Sequence, residues 1–259
     1  LGDSSVIKPK IGVAKIRIDE LLVTLGLAPD KDKAQKLIMA GEVLVDNTPV
    51  TKPGTLVRAD GAVRVASISK YVGRGGEKLE GALADFNIPV KGRFCIDIGA
   101  STGGFTDCLL QRGATLVYAV DVGTNQLDWK LRNDPRVKSF ENTNARNLSA
   151  LNQGNLEPRP DLGVVDVSFI SLKLILGELF NVMTHPAEVV ALVKPQFELP
   201  KEKVLEGGVV ESEALQKEAC DSVIEYVKAQ GGDVSQVVPS KIKGQKSGNQ
   251  EYFLWIKLN

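Results

Sequence analysis

The sequence predicts an α/β protein in which a small α+β unit precedes a larger domain built on a parallel β-sheet with helices on both faces. Three observations predict it. The apolar runs "RFCIDIG", "TLVYAVDVG", "DLGVVDVSF", "EVVALVKP" and "EYFLWIKL" are near-continuous in Val, Ile and Leu and are separated by helical patterns. Strands buried on both faces read in this way. The stretch up to Val65 has a different grammar, two short amphipathic helices and then an alternating strand. Finally, a chain of 259 residues can hold one large domain and a small companion.

Composition narrows the class further. The chain is 43% hydrophobic and 25% charged with a formal net charge of zero, as expected of a soluble globular protein. That balance argues against a protein that coats polyanions generally, and leaves open a local basic face. Its three cysteines, Cys95, Cys108 and Cys220, form no CxxC and are odd in number, which points to a reducing compartment. No apolar stretch approaches the roughly 18–20 residues of a membrane span. The opening "LGDSSVIKPK" has no apolar core of a signal peptide, so the cytoplasm is the expected location. Residues 1–16 carry no initiator Met and read as an extension, in part a remnant of expression.

The small unit is expected over residues 17–65. In "IRIDELLVTLGLAPD", Ile18, Leu21, Leu22 and Leu25 recur at helical spacing and Gly26 ends the run. "DKDKAQKLIMAGEVLVDN" starts with capping acids and places Ala34, Leu37 and Ile38 on one face; Gly41 stops it. "EVLVDNTPV" then alternates as a strand with a turn at Asp46-Asn47. Arg17, Lys31, Lys33 and Lys36 remain on the polar side, where the charge pattern alone fits a solvated helix face. A Gly-rich linker is expected over 66–77, with Gly73, Gly75 and Gly76 as its flexible part. "EKLEGALADF" opens the large domain, 78–259, as a helix.

Every residue of chemical interest in the large domain follows or adjoins an apolar run, where open α/β sheets bind ligands. The first loop, Asp97-Ile98-Gly99-Ala100-Ser101-Thr102-Gly103-Gly104, is neither G-x-G-x-x-G nor a P-loop. An acid two residues before the first glycine suits a ligand that carries a cation, and the glycines let the backbone approach it closely. A second acid, Asp121, ends the next run, where it can accept from both hydroxyls of a ribose. An amino-acid cation, a ribose and no phosphate describe S-adenosylmethionine; a structural glycine turn of some other α/β enzyme is the alternative. "DVSFISL" (Asp166–Leu172) lacks the prolines common in enzymes that methylate exocyclic amines, and no Cys follows a strand end to act on a base carbon. Cys95, inside a run, reads as core. Lys194 closes an apolar run beside Pro195, and a lysine there is either partnered, chemically useful or snorkelling to the surface. Glu251 starts the last run, and Lys78 precedes the first. The single histidine, His185, sits before a proline and reads as structural.

Residues Arg17–Val65 resemble the S4 RNA-binding domain through "RIDELL", "KAQKLIMAGEVLVDN" and "KPG". The resemblance implies docking on structured RNA through the two helices, with Arg17, Lys33 and Lys36 in contact. The large domain resembles the FtsJ-type ribose 2′-O-methyltransferases, and the whole chain the TlyA (hemolysin A) family. The motifs are "GRGGEKL", "DIGASTGGFTD", "AVDVGTNQL", "DVSFISL", "LVKPQFE" and "GNQEYFLW". What this implies is a Rossmann-like S-adenosylmethionine-dependent methyltransferase domain behind a small α+β S4 domain, acting without a metal on ribosomal RNA or ribosomal subunits. The family's Lys-Asp-Lys-Glu tetrad falls on Lys78, Asp166, Lys194 and Glu251. Cofactor contacts fall on Asp97, Gly99, Ala100, Ser101, Thr102, Gly103, Gly104, Phe105, Asp121, Val122, Asn144 and Asp166, and a further RNA contact on Arg74. Two departures stand out: Asn142 replaces a usual basic residue, and Glu211-Ser212 replaces a basic-acidic pair.

A ribose hydroxyl is a very weak acid, so its attack on a sulfonium methyl needs a base, and a lysine serves only if burial or a neighbouring cation brings it toward neutrality. The expectation is that Lys194 takes the 2′-OH proton, Lys78 tunes it and positions the nucleotide, and Asp166 and Glu251 hold the lysines. Lys70, Arg74, Lys241, Lys243 and Lys246 are further basic positions expected near the mouth. The competing readings are an RNA-binding or ribosome-assembly factor without activity, and a direct hemolysin. The sequence has no amphipathic membrane helix and few aromatic residues to favour the latter.

Overall fold

The structure is a computed structural model that describes residues 14–39, 41–65, 70–152, 156–244 and 248–259. Lys246 and most of the expected N-terminal extension lie outside them. The chain divides into two compact units, residues 1–69 and 70–259.

In the first unit, β1 (Lys15–Arg17) leads directly into α1 (Ile18–Thr24), followed by α2 (Lys31–Met39), β2 (Val43–Val45), β3 (Thr48–Pro49), β4 (Leu56–Arg58) and β5 (Val63–Val65). The unit therefore starts earlier than residue 17: β1 pairs antiparallel with β4, Lys15 opposite Arg58. The helices end as their glycines dictate, Gly26 at φ 68° and Gly41 at φ 75°. Asp46 and Asn47 both take positive φ, the hairpin turn that joins β2 to β3. Ile18, Leu21, Leu22, Ala34, Leu37 and Ile38 form the core with Val43 and Val63. Asp19, 0% exposed, lies at its edge and accepts two bonds from Arg17 (3.0 and 2.7 Å) and one from Gln35 (3.2 Å). The ion pair and the Gln35 bond thus tie β1 and α1 to α2.

The second unit opens with α3 (Arg74–Asp85) and continues through β6 (Phe94–Ile98), α4 (Gly104–Gln111), β7 (Leu116–Val120), α5 (Trp129–Arg132), β8 (Val137–Phe140), β9 (Leu162–Val165), α6 (Leu176–Val182), β10 (Ala187–Val193), α7 (Pro195–Glu198), α8 (Glu213–Ala229), β11 (Asp233–Pro239) and β12 (Tyr252–Leu258). The expected linker over 66–77 is thus helix from Arg74 onward. Gly76 in it serves packing rather than looseness: a Cβ there would lie 2.2 Å from the Tyr71 ring, and a Cβ on Gly104, at the start of α4, would lie 3.0 Å from the Gly76 nitrogen. The two glycines let α3 and α4 approach backbone to backbone.

The sheet runs β11-β12-β10-β9-β6-β7-β8. Strands β8, β7, β6, β9 and β10 are parallel, whereas β12 pairs antiparallel with both β10 and β11. The run "EYFLWIKL" is therefore a strand, as its composition predicts, but not a parallel one. Alternate residues of each strand feed two cores, Ile96, Ile98, Val120 and Val165 on one face and Cys95, Val117, Ala119 and Val164 on the other. Chain order reverses between β6 and β9, and the loops leaving these two strands border a crevice at their carboxyl ends.

Candidate functional site

A cleft of about 650 Å³ lies at that end of the sheet, within the usual range of small-molecule sites. Lys194 enters it from the end of β10, where Pro195 at the start of α7 stops the strand. Its Nζ lies 2.6 Å from Asp166 Oδ1 and donates to Ser168 Oγ at 2.9 Å. Asp166 and Ser168 belong to the loop after β9, and the Asp166 N–H donates to the Ile98 carbonyl. Lys78 enters from α3 and pairs with Glu251, just ahead of β12, at 2.6 Å; the two side chains are 12% and 3% exposed. The four tetrad positions therefore face one cleft as two carboxylate–ammonium pairs.

Gly99 turns the chain at φ 84°, and a Cβ there would lie 2.4 Å from the Asp166 carbonyl oxygen. Only glycine meets both conditions, so the two loops of the crevice touch backbone to backbone. Gly99, Ala100, Ser101, Thr102, Gly104 and Phe105 line the cleft; Gly103, at φ 98°, lies behind it against Leu127 and Leu131. Asp97 lies below the loop and is 0% exposed. Its Oδ2 accepts from Thr106 at 2.7 Å while Oδ1 has no partner among the described residues, and burial pushes its carboxyl up to about 7. An unsatisfied buried carboxylate oxygen beneath a glycine loop suits a cationic group or a bridging water. Asp121 ends β7 and accepts from the N–H groups of Ser101 and Gly123, both at 2.7 Å. Each oxygen keeps a lone pair for a ligand hydroxyl. Val122, 70% exposed, and Asn144, whose oxygen accepts from the Arg146 N–H, do not line the cleft.

Several lining residues carry no signal that sequence reasoning used. Ser168 is the second partner of Lys194. Phe169, 80% exposed at φ 65°, stands 5.2 Å ring to ring from Phe197 at the rim. Gln196, Gly207 and Gly208 complete that side. Ser168, Phe169 and Gln196 were findable from their place just after β9 and β10 in "DVSFISL" and "LVKPQFE", whereas Gly207 and Gly208 lie well beyond β10 and carry no such clue. Glu198 accepts from Ser171 Oγ (2.6 Å) and the Leu172 N–H (2.8 Å), which ties the loop after β9 to the turn after β10, and burial pushes its carboxyl up.

The basic positions fall into two groups. Arg74 and Lys243 line the cleft, and Lys33 and Lys36 are exposed on α2. Arg17 is held by Asp19, Lys31 by Glu20, Lys70 by Glu80 and Lys241 by Asp85. These last four already have anionic partners, which weakens the expectation placed on Arg17, Lys70 and Lys241. All three cysteines are buried free thiols that burial pushes up, Cys108 to about 11 and Cys220 to about 12. His185 shares a bond of 3.1 Å with the Asn259 carbonyl, far from the cleft lining. Of the two departures, Ser212 caps α8 by accepting from the Leu215 N–H, and Asn142 takes a turn conformation at φ 51°.

A profile of the FtsJ-like methyltransferases matches residues 71–258, and one of the S4 domain matches residues 16–63. The 16S/23S rRNA (cytidine-2′-O)-methyltransferase TlyA of Mycobacterium tuberculosis is 46% identical over 94% of this chain and 90% of its own. Hemolysin A of Brachyspira hyodysenteriae is 41% identical over 92% of this chain and 98% of its own. A solved Streptococcus thermophilus structure that carries the hemolysin name is 40% identical, covers 96% of this chain and 90% of its own, and superposes with a TM-score of 0.71. Matches of this extent, across both units and the cleft between β6 and β9, place the chain in the TlyA (hemolysin A) family of FtsJ-like methyltransferases with an N-terminal S4 domain.

Proposed function

We propose that this protein transfers a methyl group from S-adenosylmethionine to a ribose 2′-hydroxyl of ribosomal RNA, in the cytoplasm and on a ribosomal subunit or its RNA. The observation that carries the reading is the pairing of Lys194 with Asp166 and of Lys78 with Glu251 in one cleft against the glycine loop. The relatives named for rRNA cytidine-2′-O-methylation support the substrate.

S-adenosylmethionine, when bound, supplies an electrophilic methyl group on a sulfonium. Asp97, buried beneath the loop, would compensate its amino-acid cation, the loop Gly99–Gly104 would let it approach the backbone closely, and Asp121 would accept from its ribose hydroxyls. Asp166 and Ser168 fix the Lys194 side chain, so that in its amine form Nζ accepts the proton of the incoming 2′-OH. Methyl transfer to the 2′-oxygen would release S-adenosylhomocysteine, and Lys194 would pass the hydroxyl proton on to water. Lys78, held by Glu251, orients the target nucleotide; alignment of this kind supplies much of the rate. Arg74 and Lys243 at the cleft, with Lys33 and Lys36 on the S4 unit, meet phosphates. Phe169 and Phe197 offer a stacking face for a base lifted out of its helix.

Purified small and large ribosomal subunits, incubated with methyl-labelled S-adenosylmethionine, test the reading. Label should enter RNA as a ribose modification that blocks alkaline cleavage at one linkage. Lys194→Ala should reduce it by about 100-fold or more, the scale of a lost general base. Near-normal transfer by that variant would remove Lys194 from its role, and absence of label from RNA would remove the activity itself.

A further inference from the structure

We infer that Gln196 reads the target nucleobase, and that its amide is held with its N–H donors toward the substrate, selecting a base edge rich in acceptors. The inference rests on the ribose-methylation reading above and names the specificity of that same cleft.

The orientation of a side-chain amide is a question of which end finds which partner. Here backbone groups decide it. Asn249 is 4% exposed and accepts from the Val210 N–H through Oδ1 at 2.9 Å, so that end is oxygen. Its Nδ2 donates to the Gly208 carbonyl at 2.8 Å. The same Nδ2 donates to Gln196 at 3.0 Å, so Gln196 presents Oε1 to it. Two unambiguous backbone groups thus orient Asn249, and Asn249 orients Gln196. Nε2, with its two hydrogens, is then the end left for the cleft, which Gln196 lines beside Phe169 and Phe197.

An amide fixed in this way differs from a free one. A freely rotating glutamine offers donor or acceptor as required, whereas this one offers donors only, because turning it would set Nε2 against the Asn249 donor. Beside an aromatic face that takes any base, it discriminates among them. The O2/N3 edge of cytosine presents two adjacent acceptors to such a group. On the Watson–Crick edge, where a flipped base is read, guanine presents donors at N1 and N2 and uracil interrupts its acceptors with N3–H; guanine offers two adjacent acceptors only on its O6/N7 edge. A site built to donate rejects an edge that cannot accept, because its buried polar group is left unpaired.

The test compares Gln196→Glu with Gln196→Met on native ribosomal subunits. Both are similar in size to glutamine, but the first replaces donors by an acceptor and the second removes polarity. The expected result is a loss in kcat/KM of about 10-fold for Gln196→Met and about 100-fold for Gln196→Glu, with S-adenosylmethionine affinity within about twofold of wild type. A glutamate variant equal to or better than the methionine variant overturns the inference, since the edge would then not be acceptor-rich. Subunits altered at the mapped nucleotide give the second readout. Wild type should favour C over U, A and G, and Gln196→Glu should flatten that preference; an unchanged preference also overturns it. If wild-type protein labels no RNA, the ribose-methylation reading has failed, which is distinguishable from normal labelling with no role for Gln196.

Discussion

Glu251→Leu leaves the Lys78 ammonium without its partner in a place where only 12% of that side chain reaches solvent. The pair sits at 2.6 Å with Glu251 3% exposed, so the glutamate is almost wholly removed from water. Breaking a buried pair from one side costs about 3–5 kcal/mol, because a charge remains without compensation. Lys78 lines an open cleft that water can enter, which places the expected cost near the lower figure, about 3 kcal/mol. For a unit of this size that corresponds to a melting temperature lower by about 6–12 °C. Both tryptophans, Trp129 and Trp255, lie in the second unit, so fluorescence follows its unfolding without interference from the S4 unit. The double variant Lys78→Met/Glu251→Leu removes both charges and should recover most of that loss, since apolar replacements of whole pairs are often near neutral. Methyl transfer should be abolished in Glu251→Leu and stay abolished in the double variant. A Glu251→Leu protein that melts with wild type, or a double variant as unstable as Glu251→Leu, would refute this account of the pair.

Four other outcomes follow from named contacts. Gly99→Ala must hold a Cβ at φ 84° and 2.4 Å from the Asp166 carbonyl, so it should lose about 2–4 kcal/mol and S-adenosylmethionine binding together, seen by thermal melting and calorimetry. Burial raises the Asp97 carboxyl to about 7, so the free protein is more stable when it is protonated and loses that advantage as pH rises from the ordinary carboxylate range through 7. A ligand cation favours the ionised form, so binding should tighten between about pH 6 and 8 with proton release, measured by calorimetry in buffers of different ionisation enthalpy. Hydrogen bonds from Arg17 hold Asp19 down to about 2, and the stability this gives is present above the unfolded carboxylate range and lost as pH falls toward 2. Amide exchange of α1 peptides should therefore accelerate below pH 4, and earlier in Arg17→Ala, which makes Lys33→Glu/Lys36→Glu the cleaner test of RNA docking. Phe169→Ala should raise KM for ribosomal subunits by about 10-fold, the scale of one lost base–aromatic stack, with cofactor affinity unchanged in equilibrium titration.

The amino-acid sequence by itself determined four of the five strands that build the parallel part of the sheet, β6, β7, β9 and β10, because near-continuous Val, Ile and Leu runs have no other stable place than between two helical layers. It also pointed to the cleft, since Gly99, Asp166 and Lys194 directly follow such runs and all three line it. Strands β8 and β11 escaped that reading because they lie at the two sheet edges and are largely exposed, "VKSF" and "DVSQVVP", with little apolar signal to detect. Gly76 of the expected linker was misleading for the opposite reason: it looks permissive in sequence, whereas Tyr71 and the close approach of α4 at Gly104 leave no room for a side chain there. Tertiary structure alone decided the partners. Lys78 meets Glu251 across 173 positions of sequence only because β12 inserts antiparallel between β10 and β11. Arg17 is engaged by a neighbour two residues away, which a charge count leaves invisible. The orientation of Gln196 depends on backbone groups of Gly208 and Val210 through Asn249. Periodicity records which side of an element is buried, whereas the direction in which a polar group points is set by whichever donor or acceptor the fold places opposite it.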